Sequence, residues 1–405
     1  MQIRLSGPVV LAVSCVAIFW PGAFIFGFPG VMSQHWQSTF QVGRAEVGQI
    51  LFYVLAAVGI FMFLIGRWLE KIGPSWLTVI GITICGTSTI AVGYVTGIKA
   101  VYLWASIMGV SSAFIYLPAL TVAQRWYPRR RGLVSGAVNL FFGLSAAIMA
   151  PIFNHMLQHQ GYTSMTLTLG VLVLSIGLPA AAFVRFPQKT AMDGTDPALK
   201  SSIGQPSVSA RQSLRTQSFW FLWFTWAFAG AAGISMVTLS TTFGISKGLP
   251  MDHAVFILTA FNLTNGSSRL VSGFLSDIIG RDKTMSLAFL LAGGAYFLFP
   301  YLEGLIAWAI LATIVGFAFG TLFAVSAPLI GDCFGMDHFG VIFGLVFTAY
   351  GFVSGIIGPW LCGHLLDITG GNFTLVFSYL GSLTLVSAIL VKLTAPPSEC
   401  TLNRM

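Results

Sequence analysis

Residues 254–276 read AVFILTAFNLTNGSSRLVSGFLS, an apolar run with one arginine, Arg269, and no acid inside it. An arginine keeps its charge at any physiological pH. Near the middle of a bilayer helix it costs about 2.5–3.5 kcal/mol on insertion scales. Asn262, Asn265, Arg269, Ser272 and Ser276 follow one another at steps of 3, 4, 3 and 4. Such steps put all five on one face of a helix. The spacing predicts a polar stripe turned to a water-filled cavity rather than to lipid, with an anionic ligand as the counter-ion of Arg269.

The rest of the chain makes a membrane-spanning reading compulsory. Of 405 residues, 56% are hydrophobic and 8% charged, and the mean hydropathy is +0.85. Soluble domains carry about 25% charged residues. Apolar runs long enough to cross ~30 Å of hydrocarbon begin near residues 8, 45, 75, 101, 132, 164, 218, 254, 284, 306, 339 and 372. The expected fold is all-α, a polytopic membrane protein of twelve transmembrane helices. The first run lacks an Ala-x-Ala site and is read as a retained span, not a cleaved signal.

The formal net charge is +8, and it is no sign of nucleic-acid binding. With the N-terminus inside, Arg44, Lys99 and Lys247 fall on the outer side and Arg269 falls within the membrane. The remaining 16 of the 20 Lys and Arg fall on the cytoplasmic side. That bias predicts both termini in the cytoplasm of a multi-pass plasma (inner) membrane protein. It also leaves Arg269 as the basic residue that topology does not explain. The five cysteines are scattered without a CxxC pair, so neither a metal site nor a disulfide framework is expected. No cofactor and no catalytic constellation is read from the chain.

The longest hydrophilic stretch runs from 187 to 217 and reads as a flexible cytoplasmic linker. It separates residues 1–186, an N-terminal six-helix bundle, from 218–405, a C-terminal one. The two halves repeat. Residues 66–73 (GRWLEKIG) return as 273–280 (GFLSDIIG), offset by 207. Gly132, Gly136, Gly143 and Pro151 return as Gly340, Gly344, Gly351 and Pro359, each offset by 208. A parallel repeat predicts a pseudo-twofold axis along the membrane normal and a central site between the halves.

The motif Gly273-x-x-x-Asp277-x-x-Gly280-Arg281-x-Lys283 resembles the cytoplasmic-loop signature of the major facilitator superfamily. The first-half copy carries Glu70 for the aspartate and Pro74 in place of a basic residue. Residues 125–136 (RWYPRRRGLVSG) are similar to the loop motif of monocarboxylate transporters and of the related oxalate/formate antiporters. Residues 261–269 (FNLTNGSSR) with 273–277 (GFLSD) resemble their eighth helix. In both groups the arginine matching Arg269 binds the substrate carboxylate. The resemblance spans essentially the whole chain and implies alternating-access transport of a small organic anion.

Depth along the helices agrees with a single layer. At 1.5 Å per residue, Arg269 lies ~12 Å from Asp277, and Tyr116 and Phe323 each ~13 Å from Arg125 and Asp332. A guanidinium can give a carboxylate two parallel hydrogen bonds, and Tyr116 can add a hydroxyl. By the resemblance, Tyr116 matches a tyrosine of the antiporter branch, and Phe319 and Phe323 match its aromatic cage residues. With 35 Phe in the chain, single phenylalanines are more often core or lipid contacts. Phe142 is carried as a further candidate on that understanding. Asn265 and Asn262 serve equally as ligand contacts or helix–helix hydrogen-bonding groups. The cluster Arg129–Arg131 is read as topology and loop pairing.

Three departures from these families shape the expectation. The antiporters carry a second basic residue on helix 11, matched here to Val346, which favours a monoanion with a small apolar tail. The animal transporters place a lysine after Phe-Pro on helix 1, where Phe28-Pro29 is followed by Gly30. They place an aspartate where Asn265 stands. No Asp or Glu falls in the expected membrane core, so no carboxylate relay for protons is evident. The reading is a secondary transporter of lactate- or pyruvate-like monocarboxylates. It is expected to work as a monomer in lipid, with the proton as co-substrate. Anion exchange of the oxalate/formate type is the alternative. A non-transporting membrane sensor and a membrane enzyme are the remaining classes.

Overall fold

The computed structural model describes residues 6–187 and 208–397. Twelve long helical segments make up the described chain. They are α1 (residues 7–40), α2 (Arg44–Ile72), α3 (Pro74–Val92), α4 (Ile98–Trp126), α5 (Arg131–Gln160), α6 (Tyr162–Ala182), α7 (Gln217–Ser246), α8 (Met251–Ile279), α9 (Arg281–Leu298), α10 (Leu305–Phe334), α11 (Phe339–Ile368) and α12 (Phe373–Leu393). The expected starts fall within a few residues of these. Ten are long and apolar enough to cross a membrane by length and composition. The two that fall short are α8, which carries the Arg269 stripe, and α9, which has 18 residues and opens on Arg281-Asp282-Lys283.

Local chemistry sets the helix ends. Gly73 and Gly280, equivalent in the repeat, have φ of +88° and +103°, a left-handed backbone that glycine adopts without strain. Each lets the chain reverse directly into the next helix. The N-terminal N–H of α7 at Phe219 is met by Thr216 Oγ1 at 3.2 Å, and that of α12 at Leu375 by Asn372 Oδ1 at 3.1 Å. Two helices are not regular throughout. α1 widens into a π-helical turn at Ala23–Gly27, just after Pro21. α11 widens twice, at Ala349–Ser354 and at Ile356–Trp360, which contains Pro359. A proline removes one ladder donor, and wide turns of this kind re-aim side chains.

Contacts divide the chain into two units, Met1–Pro128 with Val138–Ile203, and Arg129–Ala137 with Gly204–Met405. Inside the first unit, α2 packs on α4, α3 on α4 and α6, and α1 on α4 and α6. Inside the second, α8 packs on α10, α9 on α10 and α12, and α7 on α10 and α12. The same pairings recur, helix for helix. The means of close approach recurs too. A Cβ at Gly109 of α4 would overlap the Val54 carbonyl of α2, and one at Gly316 of α10 would overlap the Phe261 carbonyl of α8. Gly86 faces Gly170, and Gly293 faces Gly381. In lipid, where the hydrophobic effect does not drive helices together, small residues let backbones meet.

The linker expectation for 187–217 lies mostly outside the described residues. Its end is structured. The Val208 N–H donates to the Phe334 carbonyl at 3.2 Å, and Ser209 caps the helical turn Ala210–Ser213.

Residues 129–137, the start of α5, group with the second unit. Gly132 and Gly273 meet backbone to backbone, and Gly136 lies against the Arg269 carbonyl. Asp277 accepts the N–H groups of Gly132 and Leu133 at 3.0 and 2.8 Å and pairs with Arg281. Asp332 accepts from Arg131 at 3.1 Å and from Arg281 at 3.2 Å. The acid of the repeated motif therefore neutralises a helix N-terminus and a guanidinium together. In the first unit, Glu70 pairs with Arg125, whose guanidinium also stacks 4.1 Å from the Phe186 ring centroid.

The α8–α10 crossing gives a direct test. A Cβ at Gly320 would overlap Ser268 Oγ and the Asn265 carbonyl, so Gly320→Ala is expected to cost about 1–3 kcal/mol. Gly294 on α9 has nothing within 4 Å, and Gly294→Ala is expected to be neutral or slightly stabilising. Thermal melting of the two variants in detergent checks the contrast.

Candidate functional site

Arg269 is 4% exposed. Its Nε donates to the Asn265 carbonyl at 3.3 Å and its Nη2 to Asn265 Oδ1 at 3.4 Å. The guanidinium carbon lies 4.9 Å from the Phe323 ring centroid, a cation–π geometry. The Gly316-x-x-x-Gly320 surface of α10 makes this possible, because it brings α10 so close to α8 that Phe323 on the following turn reaches Arg269.

Phe323 is one ring of a larger aromatic cluster in the second unit. It is edge-on to Phe319 (5.3 Å), to Trp226 of α7 (5.1 Å) and to Tyr350 of α11 (5.5 Å). Phe347 closes the group, 4.8 Å from Trp226. Phe319 stacks at 6.0 Å on Phe261 and lies flat against Gly233, where a Cβ would penetrate its ring. Ser354, in the first wide turn of α11, donates to the carbonyls of Trp226 and Ala227 at 3.0 and 3.1 Å. That bond ties α11 to α7 beside the cluster.

The sequence candidates fall into distinct groups. Arg269, Asn265, Phe319 and Phe323 come together in the second unit. Tyr116 and Phe142 come together in the first, with rings 5.4 Å apart and the Tyr116 hydroxyl donating to Asn139 Oδ1 at 2.8 Å. Val346 is fully buried on α11, and Asn262 is exposed on α8. The lower part of the expected stripe is packed inside the protein. Ser272 and Ser276 are buried, and their hydroxyls bond back to the Ser268 and Gly273 carbonyls at 2.7 and 2.8 Å. Ser276 belongs to the contact with the start of α5, beside Gly132.

Sequence reasoning missed Asn139, Trp226 and Tyr350. One of these, Tyr350, was within reach of the repeat. At the 208-residue offset Phe142 maps to Tyr350, and at the 207-residue offset Tyr116 maps to Phe323. Asn139 falls three residues before Phe142, a polar group in an otherwise apolar helix. Trp226 sits among Phe and Trp at 219–228 and gives no signal by pattern.

Twelve helices in two repeated units, with a buried arginine among aromatic rings, define a membrane transporter. The profile of the Major Facilitator Superfamily matches residues 13–258 and 248–401, and the chain belongs to that family. It is 28% identical over 310 residues to the oxalate:formate antiporter of Oxalobacter formigenes, covering 76% of this chain and 72% of that protein. It is 25% identical over 400 residues to monocarboxylate transporter 13 of Bos taurus, covering 93% and 88%. The Escherichia coli fucose:proton symporter FucP shares the fold, with a TM-score of 0.72 at 15% identity over 97% of this chain and 100% of that one. The chain is thus an integral, multi-pass transporter and not an enzyme.

Phe323→Leu removes the π face under Arg269 and is expected to cost about 1–2 kcal/mol, the range of a partly desolvated cation–π contact with its packing. Phe323→Tyr keeps the face and is expected to stay near the parent. Melting of both variants in detergent measures the difference.

Proposed function

We propose that this transporter carries small monocarboxylates of the lactate and pyruvate type, by proton-coupled symport and alternating access. The observation that carries the reading is Arg269, a buried guanidinium held by Asn265 on one side and by the Phe323 ring on the other. A fixed fork of N–H donors matches a carboxylate. Along α7, α8, α10 and α11, Arg269 is the only lysine or arginine. One cation with apolar walls suits a monoanion better than a dianion, whose second charge would be buried without a partner. In the first unit the reading assigns substrate contact to Tyr116 and Phe142; in the second, to Asn265, Asn262, Phe319, Phe323 and Val346 beside Arg269. The termini are proposed to face the cytoplasm, from the distribution of basic residues.

A monoanion entering alone is opposed by an inside-negative potential, at ~2.3 kcal/mol per charge per 100 mV. A proton carried on the substrate carboxylate removes that cost, and the Asn265 amide can bond to either protonation state. Exchange of one anion for another also cancels the charge. The similarity to an oxalate:formate antiporter favours keeping that second reading.

Arg269→Ala is expected to abolish lactate uptake into proteoliposomes, and Arg269→Lys to restore little, because an ammonium cannot form the bidentate pair. Near-normal uptake by a well-folded Arg269→Ala protein sinks the proposed site. Vesicles without internal anion are expected to accumulate lactate when an inward proton gradient is imposed. If the gradient has no effect while preloaded lactate accelerates uptake, exchange replaces symport. Oxalate is expected to compete poorly; displacement of lactate at much lower oxalate concentration refutes the monoanion preference.

A further inference from the structure

We infer that the Trp226 indole N–H is a second hydrogen-bond donor of the Arg269 site, so that the substrate is a carboxylate with one further neutral acceptor oxygen, a 2-oxo or 2-hydroxy acid. This rests on the monocarboxylate reading and adds to it the residue that recognises the 2-oxygen.

Trp226 is 1% exposed, and its Nε1 has no hydrogen-bond partner. Every other part of the residue is engaged. Its carbonyl accepts from Ser354, and its ring packs on Phe323, Phe347 and Tyr350. Packing alone gives no reason for an indole, since phenylalanine would fill an aromatic cluster without burying an unsatisfied donor. The indole N–H groups of Trp20 and Trp104 in the first unit are also unpartnered. What sets Trp226 apart is the buried guanidinium beyond a single shared ring. The 4.9 Å from Arg269 to Phe323 and the 5.1 Å from Phe323 to Trp226 keep the guanidinium carbon within 10 Å of the Trp226 ring centroid. A three-carbon acid with a hydrogen bond of about 2.9 Å at each end spans such an interval. Its carboxylate takes the Arg269 fork and its 2-oxygen takes the indole N–H. An aliphatic acid of the same size would set a methylene against that N–H and leave the donor unpaired. A second carboxylate would bring a charge that one neutral donor cannot offset.

The test compares pyruvate with propionate, which are equal in length and differ by a carbonyl against a methylene. KM for uptake is measured in proteoliposomes for the parent and for Trp226→Phe. The parent is expected to prefer pyruvate by tenfold or more, and Trp226→Phe to reduce that preference at least tenfold, chiefly through a higher pyruvate KM. A loss of packing alone would weaken both acids together and leave the ratio standing. An unchanged ratio in the variant, or a parent that takes propionate as well as pyruvate, overturns the inference and leaves the monocarboxylate reading intact. A parent that takes up neither acid overturns both. If Trp226→Phe melts well below the parent, benzothienylalanine at position 226 repeats the measurement. It keeps the two-ring shape, replaces the N–H by sulfur, and is held to the same expected collapse of the ratio.

Discussion

The second unit is organised around one uncomfortable charge. Arg269 is 4% exposed, so its donors and its flat faces must be met chiefly by the protein or by what the protein binds. Asn265, one turn earlier on α8, takes part of the fork. Phe323 takes a face. Because Phe323 belongs to α10, the requirement spreads into helix packing. The ring reaches the charge only because Gly316 and Gly320 let α10 lie against the α8 backbone. The rings around Phe323 then hold it from three further helical positions. Charge, glycine spacing and aromatic cluster are therefore one device, and a change in any of them reaches the guanidinium.

Much of this was legible from the chain. Hydropathy marked the twelve segments, and the one arginine unexplained by topology marked the helix that carries the buried guanidinium. The glycine motif near 280 was legible because a positive φ leaves few choices of residue. The aromatic walls were harder. In a chain with 35 phenylalanines, a ring that contacts a charge looks like a ring that contacts lipid until helices are paired. The lower stripe on α8 misled for a related reason. Serines at helical spacing have the same pattern whether they face water or bond back to their own helix, as Ser272 and Ser276 do. On α11, Val346 entered only through the resemblance, as the match to a basic residue of the antiporters; the rings that meet Phe323, Phe347 and Tyr350, lie just before and just inside the first wide turn and carried no such match. The expected breadth of the linker was also more than composition could resolve, since the residues from Val208 onward pack as structure.

The repeat supplies the last step. Tyr116 and Phe142 in the first unit correspond to Phe323 and Tyr350 in the second, and the two edge-on pairs stand 5.4 and 5.5 Å apart. Gly22 crowds Phe142 just as Gly230 crowds Tyr350. The framework was thus built twice with the hydroxyl exchanged between partners. The differences between the copies are then the chemistry. Met62 stands where the second unit has Arg269, at the 207-residue offset, and Asn139, which holds the Tyr116 hydroxyl, stands where the second unit has Phe347. The first unit keeps a neutral hydrogen-bonded pair inside an apolar wall. The second trades that amide for a ring and gains a cation. A twofold pattern of helices therefore carries a one-sided charge. That asymmetry is the feature on which the proposed monocarboxylate reading rests.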